Sequence, residues 1–399
     1  MIRHSSLFSQ LVALFNRTQF HNLVFRHKAE RYCKGFDTWD HFVAMLFCQL
    51  AQAKSLREIC GGLSCCLGKL RHLGVKRAPN KSTLSYANAH RPWQMYQELF
   101  YQTLEVCKMA GTGKHRFKFK NKLLSLDSST ISLCLSLFPW AKFRRTKGAI
   151  KLHLLLDHDG YLPTYAYISN GKKHDVTIAR KVPLSPYSIV AMDRGYNDYS
   201  LFANWTENHI FFVTRLKDNA DYTVVHERVV PQNRNILADQ LIHFTGYYAR
   251  EKCPHILRKV VVWDKEQERQ IVLLTNHLEF GATTISGIYR DRWQIELFFK
   301  ALKQNLKVKT FVGTSENALY IQIWTALIAM LLIKYLQFKS KFNWSLSNLV
   351  AFLRWNLFTY RDLWEWIDKP FDILPITPGF IQNLLPFKGL GQHMLKPAT

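Results

Sequence analysis

The sequence predicts a mixed α/β protein: a mixed sheet flanked by helices, with a β-rich insertion and a helical N-terminal domain. Three observations lead there. Residues 1–115 repeat apolar side chains at three-to-four spacing. Residues 116–216 change to short apolar strands, first in a meander and then alternating with helical stretches. Residues 217–281 are strand-like again, and helical character returns near Thr284.

The elements follow in order. FDTWDHFVAMLFCQLAQAKSLREICGGL is helical in period and stops at Gly61-Gly62. Pro79 and Asn80 break the chain, and KSTLSYAN opens a short helix capped by Asn80 or Ser82. That helix presents Lys81, Ser82, Thr83, Ser85 and Asn88, as a helix-turn-helix reader would. A capped surface helix accounts for the same residues. The basic joint GTGKHRFKFKNK, 111–122, marks a boundary. Strands are expected at LLSLD (123–127), KLHLLLD (151–157), YLPTYAYI (161–168), SIVAMD (188–193) and HIFFVTRL (209–216). The turn DHDG joins the second and third as a hairpin, and helices are expected at 174–182 and 197–208. YTVVHERVV, IHFTGYYAR, LRKVVVW and QIVLLTN are the strands of the insertion. Helices follow near 315–338 and 344–358, before an irregular tail from Lys369. The uncharged run Ala318 to Ile333 is short of the roughly 20 residues that cross a bilayer, so a buried helix is expected there. These changes divide the chain into 1–115, 116–216, 217–281, 282–340 and 341–399.

Composition narrows function. Lys and Arg number 54 against 29 acidic residues, a net charge of +25, with 14% aromatics. Basic residues spread along a folded, aromatic-rich chain fit a nucleic-acid partner better than a membrane-surface helix. The eight cysteines lack zinc-ligand spacing and read as reduced cytosolic thiols. The first twenty residues lack a signal-peptide pattern, so a cytoplasmic protein without a membrane partner is expected.

The chemistry centres on YRDRWQIELFFKALK, Tyr289 to Lys303. On an uninterrupted helix of about 100° per residue, Tyr289, Arg292, Glu296 and Lys303 fall within an arc of about 60°. Ile295, Phe298, Phe299 and Leu302 form an adjoining apolar stripe. Glu296 and Lys303 are two turns apart, too far for a tight pair. A carboxylate flanked by spaced cations suits a metal ligand beside phosphate contacts, although a solvated face has the same composition. Two-metal phosphoryl chemistry needs further carboxylates on rigid elements. Asp127 ends LLSLD and Asp193 ends SIVAMD, each after an apolar strand. A strand-ending Asp is also a common turn former. Asp157, Asp159 and Asp175 compete for the role, the first two from an evident turn.

The spacing Tyr-x2-Arg-x3-Glu-x6-Lys resembles the YREK signature of the insertion-sequence-four (IS-four) family of DDE transposases. LDSST and AMDRGYND are similar to that family's first and second aspartate motifs, and LLTN and FVGTSENA to the flanks of its signature helix. LFSQLVALF through TLSYAN resembles the helical region of one branch, so the likeness spans about residues 5–340. The resemblance implies an RNase H-like catalytic core in two parts, 116–216 and 282–340. A β-rich insertion at 217–281 separates them, and a DNA-binding domain at 1–115 precedes them. Asp127, Asp193 and Glu296 would ligate two Mg²⁺ ions, for which Mn²⁺ substitutes. Tyr289, Arg292 and Lys303 would hold phosphates. Trp263 would stack on a flipped base, with Trp293 as a second candidate, and core packing is the competing role of both. Lys81 and Thr83 would contact end DNA. His174-Asp175 is similar to a further motif, expected to serve as turn or supporting structure. Arg194 and Tyr196 either touch DNA or shape their loop. The implied protein is a homodimer on double-stranded DNA in the bacterial nucleoid. It cuts transposon-end inverted repeats and joins 3′-hydroxyls to a target. The alternatives are a catalytically silent repressor or end-binding protein, and a host nuclease of the same fold.

Overall fold

The computed structural model describes residues 5–31, 33–66, 69–111, 117–144, 147–232, 234–308 and 310–372. Most of the expected tail, and residues 112–116 of the basic joint, lie outside them.

The N-terminal helices are α1 (Leu7–Ala13), α2 (Arg17–Arg26), α3 (Thr38–Leu50), α4 (Leu56–Ser64), α5 (Lys81–His90) and α6 (Trp93–Ala110). Local chemistry starts them. The Asp37 carboxylate accepts from the Asp40 amide at 2.8 Å, opening α3. Ser55 and Glu58 form a capping box at α4: Ser55 Oγ accepts from Glu58 N at 3.2 Å, and Glu58 accepts from Lys54 N at 2.9 Å. Asn80 is the N-cap position of α5, without a side-chain cap bond, and Ser82 lies inside the helix. Residues 65–80 separate α4 from α5 and include a 3₁₀ turn at Leu70–Leu73, in place of the three- or four-residue turn of a helix-turn-helix. Asn88 does not belong to the exposed face. It is buried, and its Oδ1 meets His41 Nε2 at 2.8 Å.

The strands are β1 (Leu123–Leu133), β2 (Lys142–Arg144), β3 (Lys147–Asp157), β4 (Leu162–Asn170), β5 (Ile189–Met192), β6 (Phe211–Arg215), β7 (Tyr222–Glu227), β8 (Ile236–Phe244), β9 (Leu257–Asp264) and β10 (Arg269–Thr275). The RNase H-like core is β4–β3–β1–β5–β6: an antiparallel meander continued by two strands parallel to β1. The strands of the insertion extend this same sheet, because β10 pairs with β6 and is followed outward by β9, β8 and β7. Within IHFTGYYAR only the first half is strand; Tyr247–Lys252 is the short helix α9, entered through Gly246.

The other helices are α7 (Asp175–Ala179), α8 (Tyr199–Glu207), α10 (Ala282–Asp291), α11 (Trp293–Asn305), α12 (Glu316–Lys339), α13 (Leu346–Asn356) and α14 (Leu363–Asp368). Alternation along the central strands sends Leu124, Leu126 and Met192 to one face, against Phe202 of α8. It sends Ile189 and Ala191 to the other, against Ile285 and Ile288 of α10. The apolar run expected to be a buried helix is α12, which packs on α3, α5, α6 and α13. One hydrophobic cluster joins α12 to the N-terminal helices, to α11, α13 and α14, and to side chains of β3 and β4. The two ends of the described chain also meet. Phe8 N donates to Leu357 O at 2.8 Å, Gln10 Nε2 to Arg361 O at 2.6 Å, and Leu363 N to Gln10 Oε1 at 2.9 Å.

Two local expectations change. β1 does not end at Asp127 but runs to Leu133, because β3 stays paired with it through Gly148. Only the parallel partner β5 stops there, at Met192. YRDRWQIELFFKALK is not one helix: α10 closes at Asp291 and α11 opens at Trp293. At the joint, Arg292 N donates to both Ile288 O and Tyr289 O at 3.2 Å. The angular arithmetic across Arg292 therefore does not hold.

Candidate catalytic site

The register places two of the three carboxylates. Leu126 pairs with Met192 across parallel β1 and β5, so the next residues, Asp127 and Asp193, stand side by side at one level of the sheet. Asp127 Oδ1 accepts from Ser128 N at 2.7 Å. Asp193 opens a 3₁₀ turn, Arg194–Tyr196. The third comes from above, where α11 packs on β1 and carries Glu296 in its first turn.

Arg292 lies between two of them. Its Nη2 donates to Glu296 Oε1 at 2.6 Å, and its Nη1 is 3.7 Å from Asp127 Oδ2. The guanidinium sits 5.6 Å from the Tyr289 ring centre. The Arg292 side chain is 11% exposed, and its Nε is buried without a hydrogen-bond partner among the described residues. Asp127 and Glu296 line an open cleft of about 440 Å³ with Lys300 and Lys303. Lys303 Nζ donates to Thr130 O of β1 at 3.2 Å.

Burial dominates the electrostatics of Asp127, and neighbouring carboxylates add to it. Burial raises the Asp127 carboxyl to about 6, and Glu296 and Asp193 push the same way against the Ser128 amide and Arg292. A carboxyl raised in this way favours folding while protonated. That contribution is complete below about pH 4 and is lost as pH rises through about 6. Asp127→Asn is therefore expected to raise stability at pH 7 by about 1–3 kcal/mol and to give no gain below about pH 4. Chemical denaturation across that range measures it.

The donor set tests the implied metal. Three carboxylates, from β1, from the residue after β5 and from α11, supply the hard oxygens that Mg²⁺ or Mn²⁺ takes. Among the described residues, however, no three acidic, His or Cys side chains stand close enough to hold an ion. The Arg292 cation takes the space between Asp127 and Glu296. The set fits the metal in chemistry, and in this arrangement Arg292 stands between two of its members.

The remaining candidates divide. Tyr289, Arg292 and Lys303 belong to this neighbourhood. Trp263 is at the same end of the sheet but three strands from β5. It lies three residues beyond the carboxylate level, roughly 10 Å along the strand. Trp293 is 54% exposed, so it does not pack in the core. Lys81 and Thr83 lie on α5; Lys81 lines a separate recess with Lys54 and Arg57. Arg194 reaches Asp218 at 3.3 Å, and Tyr196 is buried. Asp175 supports the site from behind. It accepts from Ser128 Oγ at 2.8 Å and pairs with Lys151 at 3.1 Å. Sequence reasoning missed Ser125, His158 and Asp291, which are hydrogen-bonded in a row beneath the joint. The turn residues around His158 hid it.

Residues 118–332 match the family described as "Transposase DDE domain", and residues 3–76 match a domain of unknown function. The chain is 29% identical over 281 residues to a probable insertion-sequence transposase of Geobacillus stearothermophilus, covering 68% of this chain and 72% of that one. It is 28% identical over 308 residues to a putative transposase of Sinorhizobium fredii, covering 76% and 83%. A putative insertion-sequence transposase of Synechocystis is 26% identical over 260 residues, covering 64% and 71%. A solved piggyBac transposase synaptic complex with hairpin DNA superposes with a TM-score of 0.42 at 12% identity, covering 88% and 79%, too loosely to argue from.

Proposed function

The chain belongs to the family of transposases with a DDE domain, and from that premise we propose that it cuts the inverted-repeat ends of a mobile DNA element and joins the freed 3′-hydroxyls to target DNA. The observation that carries the proposal is one cleft lined by Asp127, Glu296 and Lys303, with Asp193 level with Asp127 on the neighbouring strand. Asp127, Asp193 and Glu296 are its ligands for two Mg²⁺ ions, with Mn²⁺ as a substitute. When bound, such ions activate an attacking oxygen and stabilise a leaving one.

The side chains of the chain itself bind and orient. Lys303 offers a point charge to a phosphate at the cleft wall, and Arg292 a planar fork once it leaves the carboxylates. Tyr289 packs beneath that fork. The Tyr289–Lys303 spacing supports placement in the IS-four family with its YREK signature. Trp263, at the same end of the sheet, is the candidate for stacking on an unpaired base, and Lys81 and Thr83 for contact with end DNA. The chain works as a homodimer on two DNA ends in the bacterial cytoplasm, at the nucleoid. Residues 1–115 serve as its DNA-binding domain, 116–216 and 282–340 as its catalytic core, 217–281 as the β-rich insertion, and 341–399 as a C-terminal region.

Incubating the purified chain with the inverted repeats that flank its coding DNA tests this. Mg²⁺-dependent cleavage leaving 3′-hydroxyl ends is expected. Binding without cutting, in Mg²⁺ and Mn²⁺ alike, would establish the silent end-binder instead. Cutting without preference for those ends would point to a nuclease.

A further inference from the structure

Three buried polar side chains run from the strand of Asp127 to the joint that carries Arg292. Ser125 Oγ and His158 Nε2 are 2.7 Å apart, and His158 Nδ1 and Asp291 Oδ2 are 2.7 Å apart. The carboxylate accepts, so Nδ1 carries a proton, and the Ser125 hydroxyl completes the row at Nε2. Ser125 is 0% exposed, Asp291 2%, and the His158 side chain 7%. A Ser–His–Asp row invites comparison with a hydrolase. A serine wholly buried in the central sheet cannot receive a substrate, so that reading fails.

Each member comes from a different element: Ser125 from β1, His158 from the β3–β4 turn, and Asp291 from the last residue of α10. The positions explain the expense of burying them. Ser125 precedes Asp127 by two residues and shares its face of the strand. Asp291 directly precedes Arg292, and Glu296 lies about one helical turn further on. The joint itself is held locally by backbone bonds, from Arg292 N to Ile288 O and Tyr289 O and from Ile295 N to Arg292 O. Arg292 has helical backbone angles and no side-chain cap bond, so a hydrogen-bonded side-chain tie to β1 has to come from its neighbour Asp291. The Tyr161 ring, 5.6 Å from the imidazole, packs beside the row.

We propose that Ser125, His158 and Asp291 are positioning residues that lock the α10–α11 joint to β1, and so set Arg292 and Glu296 against Asp127. This deepens the proposed function and rests on its reading of the Asp127–Arg292–Glu296 cluster. A fully hydrogen-bonded buried row has few alternative arrangements, which suits it to holding a joint.

Hydrogen exchange on the full chain, without DNA or metal, tests the lock directly. In His158→Ala, amides 292–296 are expected to exchange at least about tenfold faster, with β3 and β8 unchanged. His158→Asn keeps a donor for Asp291 and is expected to restore most of the protection. Ser125→Ala removes one hydroxyl and keeps the test open should His158→Ala fail to fold; about threefold faster exchange at the joint is expected. In cleavage assays His158→Ala is expected to lower kcat about 10- to 100-fold with KM for end DNA unchanged. Unchanged exchange at 292–296, or an equal rise along the whole chain, overturns the proposal. The exchange measurement needs no cleavage, so a wild-type chain that never cuts would sink the functional reading alone.

Discussion

Glu296→Gln is expected to reduce end cleavage by at least about 10³-fold, the scale of losing several kcal/mol of charge stabilisation at a metal. Affinity for end DNA should stay within about twofold, because one exposed-side charge among many phosphate contacts contributes little to binding. The Glu296 side chain is 34% exposed, so its neutralisation leaves no buried orphan. Arg292 loses its 2.6 Å partner charge and keeps Asp127. Asp127→Asn and Asp193→Asn should be equally inactive. Asp127→Asn separates catalysis from folding most sharply, because the same change that removes cleavage should stabilise the fold at neutral pH. Gel-resolved cleavage with Mg²⁺, beside a melting curve for each variant, reads both. If all three variants still cut, the carboxylate assignment is wrong.

Much of this site was legible because its signals are short-range. Apolar runs ending in Asp127 and Asp193 announced central strands, and the spacing from Tyr289 to Lys303 singled out Glu296. What could not be read depends on contacts distant in sequence. The run of β1 past Asp127 has no local apolar signal in Ser128, Ser129 and Thr130; pairing with β3 keeps them in the strand. The joint at Arg292 lacks glycine or proline, and the backbone is helical on both sides. Union of the insertion with the central sheet rests on the β6–β10 pairing, between residues 213–215 and 273–275. Exposure of Trp293 was available in principle, since within α11 alone it falls about 180° from Leu302 and about 140° from Phe298, outside the apolar stripe. His158 carried no local cue, because its purpose depends on Asp291.

Arg258→Ala is expected to destabilise the chain by about 3–5 kcal/mol, the cost of breaking a buried ion pair, with Asp239 left only the Arg228 Nε at 3.8 Å. Arg258 is 1% exposed on β9 and grips Asp239 of β8 with two bonds, Nε to Oδ1 at 2.8 Å and Nη2 to Oδ2 at 2.7 Å. Its remaining Nη1 donates to the carbonyls of His277, Leu278 and Phe280. One side chain therefore ties the outer strands to the loop that leads into α10. Asp239→Ala should cost a similar amount by leaving Arg258 unpaired. The double replacement Arg258→Met with Asp239→Leu should cost much less than either, because no buried charge is then abandoned and Arg228, the other partner of Asp239, is 30% exposed. Denaturant unfolding of the three variants decides it. Equal losses in all three would mean that packing, and not the ion pair, holds this corner.

The meeting of α1 with residues 357–363 fixes a schedule for the newborn protein. Gln10 waits for Arg361, 351 residues later, which at roughly 5–20 residues per second of synthesis is on the order of 20–70 s. Through that interval Leu7, Phe8 and Leu11, each 0% exposed in the finished fold, lack their C-terminal cover. Helix α1 is thus made long before the segment that completes its packing, and it reaches its final form only once residues 357–363 have been synthesised.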